Sequence, residues 1–331
     1  MQTTSRVVRF HTLGGPEILK IESRAVPEPG DDEVLIKVEA IGLNRADVML
    51  RRGSYLEKAT FPSQLGFEAA GEIIACGKRV SCFQPGDAVC TLPGFNLSRY
   101  GVYGDHAVIP QAYILRQPAG LTNVEAAALW MAYLTAYGGL IEAGQLRSGE
   151  QVLISAATSS VGLAAIQLAR QAGAIPIATT LGGEKRDALL TLGAGAVIAT
   201  QEEPLGERLQ QLTQGKLSCA FDAVGGPQVM DLAESMEPGG RIVIHGALSP
   251  ESTPFPLKLA IKKSLSLRGY VYTEVTKNPR MLARAQAFIA QGIAAGVVRP
   301  HIDRTFALDD VVQAHRYLES NQQFGKVVLT V

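Results

Sequence analysis

Gln151–Leu168 reads QVLISAATSSVGLAAIQL. A short apolar run ends in small residues, and an amphipathic helical pattern begins at Val161. Strand, tight turn and helix in that order form the layout of a dinucleotide-binding site. The usual G-x-G-x-x-G has become Ala157-x-Ser159-x-x-Gly162. Small side chains at Ser159, Ser160 and Gly162, with Val161 between them, still let the backbone approach a pyrophosphate, which the N–H groups of a helix N-terminus attract. The same pattern also occurs where a helix merely packs closely on a strand, so its surroundings must decide.

Roughly twenty residues on, where such a fold meets the adenosine ribose, the second strand ends Ile177-Ala178-Thr179-Thr180. An acid for the ribose 2′-hydroxyl is missing there. Thr179 is followed by Lys185 and Arg186 at the start of the next helix. A hydroxyl and two cations suit a 2′-phosphate, which favours NADPH over NADH. The alternative is that Glu184, Lys185, Arg186 and Asp187 form a solvated helix face.

The chain changes character twice. Residues 1–122 read as short strands broken by Gly and Pro, at Val34–Ala40, Ala70–Ala75, Asp87–Thr91 and Gly104–Ile109, the rhythm of a compact β-barrel-like domain. Residues 123–270 alternate strands and helices. The strands are Gln151–Ser155, Ile175–Thr179, Ala196–Ala199, Cys219–Asp222, Arg241–His245 and Ser266–Tyr270, and they predict a doubly wound parallel sheet. Residues 271–331 carry a helix (Asn278–Gly292), a strand near Arg304–Ala307, a helix (Leu308–Ser320) and a closing strand, Gly325–Val331. This tail is too short for a domain and is expected to rejoin the first one, making the nucleotide domain an insertion.

Composition fits two domains: 331 residues, 47% hydrophobic and 19% charged. Lys plus Arg and Asp plus Glu balance at 31 each, so no global field recruits nucleic acid or an anionic membrane. No apolar run reaches transmembrane length, and MQTTSRVVRF has no signal-peptide core, so a cytoplasmic location is expected. Cys76, Cys82, Cys90 and Cys219 show no metal-ligand spacing and read as small buried residues.

Further motifs run the length of the chain: Leu13-Gly14-Gly15-Pro16-Glu17, Glu33-Val34-Leu35-Ile36-Lys37-Val38, Gly42-Leu43-Asn44-Arg45-Ala46-Asp47, Arg52-Gly53-Ser54-Tyr55, Gly66-Phe67-Glu68-Ala69-Ala70-Gly71, Pro85-Gly86-Asp87-Ala88-Val89, Glu184-Lys185-Arg186 and Gly325-Lys326-Val327-Val328. On these the chain resembles the medium-chain dehydrogenase/reductase superfamily, most of all its zinc-independent quinone oxidoreductase (zeta-crystallin-like) branch. The resemblance implies an α/β fold: a GroES-like β-barrel catalytic domain built from both chain ends, with an inserted Rossmann domain. It places Thr135 near the nicotinamide ribose, a helix-interior threonine being the other reading, and extends the cofactor-binding set to Gly225, Gly246 and Lys326. Two departures stand out. The family's A-A-x-G-G-V-G has Ser159 and Ser160 for its two glycines, and the third-strand tyrosine at the adenine end is Ala199 or Thr200 here.

Zinc-dependent relatives hold their ion with a Cys near the Asn44 position and a His in G-H-E, and catalytic zinc needs three protein ligands. Here these positions are Asn44 and Phe67, and no Cys lies between Cys90 and Ile109. His106 lies in that region, but a lone His there is no ligand set. Without a metal, donors must stabilise the charge that hydride transfer puts on the acceptor oxygen. The resemblance supplies Asn44, an amide donor for a carbonyl or for the nicotinamide ribose, and Tyr55. Asn44 would otherwise be a turn cap, Tyr55 a ring covering the barrel edge, and Asp47 a helix N-terminal charge.

The expected function is NADPH-dependent hydride transfer to a quinone or α,β-unsaturated carbonyl. An enoyl-thioester reductase and a non-catalytic, crystallin-like NADPH-binding protein are the alternatives. The family's dimers join edge strands of two Rossmann sheets, and Ser264–Tyr272, SLSLRGYVY, suits such an edge.

Overall fold

The computed structural model describes Thr4–Leu97 and Arg99–Val331; Ser98 and Met1–Thr3, the head of the stretch read for a leader, lie outside the described residues. Two compact units divide the chain: the segment through Met131 together with Pro300–Val331, and Ala132–Arg299.

In the first unit a strand of ten residues, Glu33–Gly42, is the centre of the larger sheet. Among the described residues that sheet runs Ile302–Ala307, Lys326–Thr330, Glu33–Gly42, Glu68–Cys76, Ala88–Thr91, Ile114–Arg116, with His106–Pro110 also paired to Glu33–Gly42. The closing strand Lys326–Thr330 lies antiparallel to Glu33–Gly42, with Val328 opposite Gly42. The tail therefore completes the first unit's sheet. Gly42 is required by close approach: a Cβ there would sit 1.9 Å from the Ala127 carbonyl oxygen and 2.8 Å from Lys326 Cε. A second sheet, Lys20–Ala25, Thr4–Phe10 and Ser63–Gln64, had no counterpart in the sequence reading. Its strand Lys20–Ala25 is almost wholly exposed and lacks the apolar alternation that marks a half-buried strand.

The second unit holds six parallel strands: β1 (Gln151–Ile154), β2 (Ile175–Thr180), β3 (Ala196–Ala199), β4 (Leu217–Asp222), β5 (Met236–Ile244) and β6 (Ser266–Gly269). Their order is 3-2-1-4-5-6, all parallel, with β6 at one edge. Val152, Leu153 and Ile154 are fully buried, as strands covered on both faces require. Leu153, Ile177, Ile198 and Ile242 pack with Leu209, Val229 and Leu232 in one core.

The helix Pro279–Ala294 falls within Ala132–Arg299, so the second unit closes at 299 instead of the expected 270 and opens at 132 instead of 123. The physical reason is packing. Gln171, on the helix after β1, donates to the Phe288 carbonyl at 2.7 Å, and Gln167 donates to the Arg299 carbonyl at 3.0 Å. Sequence rhythm registers a helix but not the face it covers.

Candidate active site

In the nucleotide unit, the helix after β1 spans Ser160–Gln171, one residue earlier than its apolar pattern suggests. Ser159 is the N-cap, and its Oγ accepts from the Gly162 N–H at 3.0 Å. An N-cap of this kind contributes about 1 kcal/mol. The serine that replaces a glycine thus holds the turn with its acceptor lone pair. Gly162 fills the role of the fingerprint's last glycine, since a Cβ there would lie 2.5 Å from Ala157 Cα. This tight, small-residue cradle suits a dinucleotide pyrophosphate.

At the ribose end the structure differs from expectation. Thr179 is 4% exposed, so its hydroxyl does not face solvent; its carbonyl accepts from the Ala157 N–H at 2.9 Å. Thr180 is the half-buried residue at the strand's end. Lys185 ends the short turn Gly183–Lys185, and Arg186 begins a helix, Arg186–Leu192. Arg186 is already engaged, donating to the Val197 carbonyl and to Glu203 Oε1, both at 2.5 Å. That bond holds the Glu203 carboxyl below its ordinary range. Glu202 accepts from the Gly183 N–H at 2.7 Å. No acid ends β2, yet β3 delivers two beside it. The Gln201-Glu202-Glu203 run carried that signal, legible once β3 is known to lie next to β2.

Thr135 lies on the helix Trp130–Tyr137 and is 9% exposed. Gly225 has φ +66°, a left-handed value that favours glycine. A Cβ on Gly246 would lie 2.5 Å from the Ala223 carbonyl oxygen.

In the first unit, the turn after Glu33–Gly42 leads to the helix Arg45–Arg52, which ends at Gly53 with φ +76°. Asn44 is its N-cap residue; the Asn44 N–H donates to Asp47 Oδ2 at 2.8 Å. The amide of Asn44 is spent within the fold. Its Nδ2 donates to the Gly42 carbonyl at 3.1 Å and to Glu68 Oε2 at 3.0 Å, while its Oδ1 accepts from Lys326 Nζ at 2.8 Å. An amide has two N–H donors, so none is left for the acceptor carbonyl or the nicotinamide ribose expected of it. Lys326, 2% exposed, also pairs with Glu68 Oε2 at 2.5 Å, and Glu68 Oε1 accepts from the Met131 N–H at 2.7 Å. An ammonium has three donors, so Lys326 retains one beyond these two contacts.

Asp47 is completely buried. Burial pushes its carboxyl up to about 7, against the Asn44 N–H, the Lys326 charge and the Tyr103 hydroxyl, which donates to Asp47 Oδ2 at 3.2 Å. Tyr55 is half-buried, its ring centroid 6.2 Å from that of Phe67. Phe67 is 1% exposed and packs on Phe95 at 5.7 Å. The donor set does not fit zinc. One position is an amide bonded to an ammonium, the next is an aromatic ring, and among the described residues no group of three His, Cys, Asp or Glu side chains could hold a metal. The cysteines are free. Burial pushes Cys90 and Cys219 up to about 12, whereas Cys82 is exposed, contrary to its reading as a core residue.

A GroES-like unit and a 3-2-1-4-5-6 nucleotide unit together define a class of two-unit dehydrogenases. Residues 30–119 match the family model for the alcohol dehydrogenase GroES-like domain, and residues 160–287 that for zinc-binding dehydrogenase. The chain is 32% identical over 332 residues to a quinone oxidoreductase of Lama guanicoe, covering 99% of this chain and 98% of the relative. It is similar to the Escherichia coli quinone oxidoreductase complexed with NADPH (29% identity, TM-score 0.90, 99% and 100% of the two chains). It is also similar to an NAD-dependent alcohol dehydrogenase (31% identity, TM-score 0.89, 98% and 99%). The chain belongs to the quinone oxidoreductase branch of the medium-chain dehydrogenase/reductase superfamily, and it is an oxidoreductase by that descent.

Proposed function

We propose that the protein is a zinc-independent oxidoreductase that uses NADPH to reduce a quinone or an α,β-unsaturated carbonyl. The observation that carries this reading is the cradle after β1. Ser159 caps the helix, Gly162 lies where any Cβ would strike Ala157, and the turn sits at the reversal of strand order, where such sheets take dinucleotides. The resemblance to an NADPH-bound quinone oxidoreductase supports the choice of cofactor.

NADPH supplies a hydride when bound. Ser159, Ser160, Val161 and Gly162 would hold its pyrophosphate through backbone N–H groups and the Ser159 O–H. Lys185 would take the 2′-phosphate, with Arg186 contributing to the extent that Glu203 releases it. Thr179 acts through its carbonyl tie to Ala157. Thr135, Gly225 and Gly246 complete the set in the second unit, and Lys326 is the candidate cofactor residue of the first. The Tyr55 phenol is the donor proposed for the acceptor oxygen, because the Asn44 donors are spent. Asn44 becomes a positioning group tied to Lys326.

A homodimer and a cytoplasmic location complete the reading. β6 is an edge strand, and no helix among the described residues is long and apolar enough to cross a membrane. The test is NADPH oxidation screened across quinones, enones and enoyl thioesters. Turnover of quinones or enones is expected. Turnover of thioesters alone gives an enoyl-thioester reductase, and NADPH binding without turnover gives a non-catalytic protein.

A further inference from the structure

The carboxylate of Asp222 ends β4, and Ser155 follows the end of β1, so the two flank the point where strand order reverses. Asp222 is 0% exposed and Ser155 2% exposed. Ser155 Oγ donates to Asp222 Oδ1 at 2.6 Å and accepts from the Ala223 N–H at 2.8 Å. Oδ1 also accepts from the Val224 N–H at 2.9 Å and Gln228 Nε2 at 2.7 Å, and Oδ2 accepts from the Gly225 N–H at 2.9 Å. One buried carboxylate thus gathers four donors, two of them successive main-chain amides. It folds the chain back on itself and holds Gly225 at φ +66°.

The turn so fixed braces the loop after β5. The Leu248 N–H donates to the Ala223 carbonyl at 3.2 Å, and the Ser249 N–H donates to the Val224 carbonyl at 2.9 Å. Gly246 lies against Ala223, with no room for a Cβ. The two loops at the carboxyl ends of β4 and β5 therefore share one internal frame. Ligands of such sheets bind just outside the carboxyl ends of the strands, beside the switch point. The amides of residues 223–225 all point inward to Ser155 and Asp222, so this turn offers an anion none of them. Its part is to set the shape of the floor.

We propose that Asp222, with Ser155 as its brace, is a positioning residue for the cofactor, holding the Gly225 and Gly246 loops in the shape that NADPH binds. The inference rests on the cofactor reading above. Nothing in composition or motif spacing marked either residue. The signal is a serine and an aspartate ending the two strands that flank the reversal, visible only once the sheet order is known.

The test measures NADPH affinity by fluorescence titration, well below the unfolding midpoint, alongside the thermal midpoint of the unliganded protein. The variants are Asp222→Asn, Ser155→Ala and Gln228→Leu. Asp222→Asn places an NH2 group against donors, and Ser155→Ala strands the Ala223 N–H. Each should raise the NADPH Kd roughly tenfold or more, the scale of one misplaced buried hydrogen bond, while turnover at saturating NADPH falls far less. Gln228→Leu removes a donor without stranding a main-chain amide and should weaken binding less. If Asp222→Asn fails to fold, Ser155→Ala and Gln228→Leu decide. Variants whose midpoint falls while Kd stays at the wild-type value show a structural role only and overturn the proposal. A wild type that binds no NADPH overturns the cofactor reading instead, so the two failures are separable.

Discussion

Lys326 Nζ donates to Asn44 Oδ1 at 2.8 Å across 282 positions of sequence, and the same ammonium pairs with Glu68. The closing strand thereby supplies a cation to the buried cluster of Asn44 and Glu68. Both members of the pair are essentially unexposed. Breaking a buried pair on one side strands a charge and costs about 3–5 kcal/mol. Lys326→Met should lose stability of that order in urea unfolding. Lys326→Met with Glu68→Gln, which removes the stranded charge, should recover a large part of it. A single-variant loss below about 1 kcal/mol, the level of an exposed pair, would refute the pairing.

Arg186 is bound to Glu203, so the cation assigned to a 2′-phosphate is partly neutralised before any cofactor arrives. Glu203→Gln should free it and tighten NADPH several-fold while leaving NADH affinity nearly unchanged. Replacing Lys185 and Arg186 together should weaken NADPH more than NADH, a charge-assisted contact being worth about 1.5–3 kcal/mol. Equal affinity of the wild type for the two cofactors would sink the NADPH reading, and titration of both with each variant measures it.

Strand periodicity was enough to read the parallel sheet, and the Ala157-x-Ser159-x-x-Gly162 pattern to read the turn before the helix Ser160–Gln171, because both are local patterns. The sheet of Thr4–Phe10, Lys20–Ala25 and Ser63–Gln64 was not legible, since its exposed strand shows no apolar alternation. Side-chain partnership was the harder part. Asn44 stands at the turn before the helix Arg45–Arg52, where its amide is consumed by Gly42, Glu68 and Lys326, and two of these three lie far from it in sequence. The pairing of Arg186 with Glu203 is invisible in sequence because Glu203 meets it only after β3 folds beside β2. Asp222 and Ser155, 67 positions apart, form a pair only through strand order.

Burial raises the Asp47 carboxyl from its ordinary value to about 7. The folded chain then holds a proton that the unfolded chain releases near pH 4. Stability contributed by this group is full below pH 4 and is lost as pH rises toward 7, by up to about 1.4 kcal/mol per pH unit, then levels off. Asp47→Asn keeps an acceptor for the Asn44 N–H and the Tyr103 hydroxyl but cannot ionise. Denaturation between pH 5 and pH 8 should show a flatter profile for this variant and greater stability at the alkaline end. Parallel profiles for variant and wild type would contradict the assignment.

Exhaustive chelation should leave folding and NADPH oxidation intact, because Asn44 is bonded to an ammonium and Phe67 is packed on Phe95. Elemental analysis showing one zinc per purified chain would refute this.

Assembly follows from the sheet edge. β6 pairs with β5 on one side, and along Ser266–Gly269 only Leu267 is even partly covered. The helix before it, Leu257–Lys263, leaves Leu257 58% and Ile261 73% exposed, and Phe255 is 63% exposed just upstream. An uncovered edge carries unpaired main-chain donors and acceptors, and natural sheets protect such edges with Pro, inward charge or a covering element. Here no Pro interrupts Ser264–Tyr272, and Arg268 is occupied by Glu274. Two copies related by a two-fold axis would pair β6 with β6 in an isologous contact and cover the neighbouring apolar side chains at the same time. Ile261→Glu together with Leu257→Glu should therefore shift the protein toward monomer without unfolding it, since both side chains are exposed in the single chain. Light scattering at micromolar concentration decides the question. A wild-type mass near the 35.2 kDa of one chain defeats the dimer, and roughly twice that mass, reduced in the double variant, supports it.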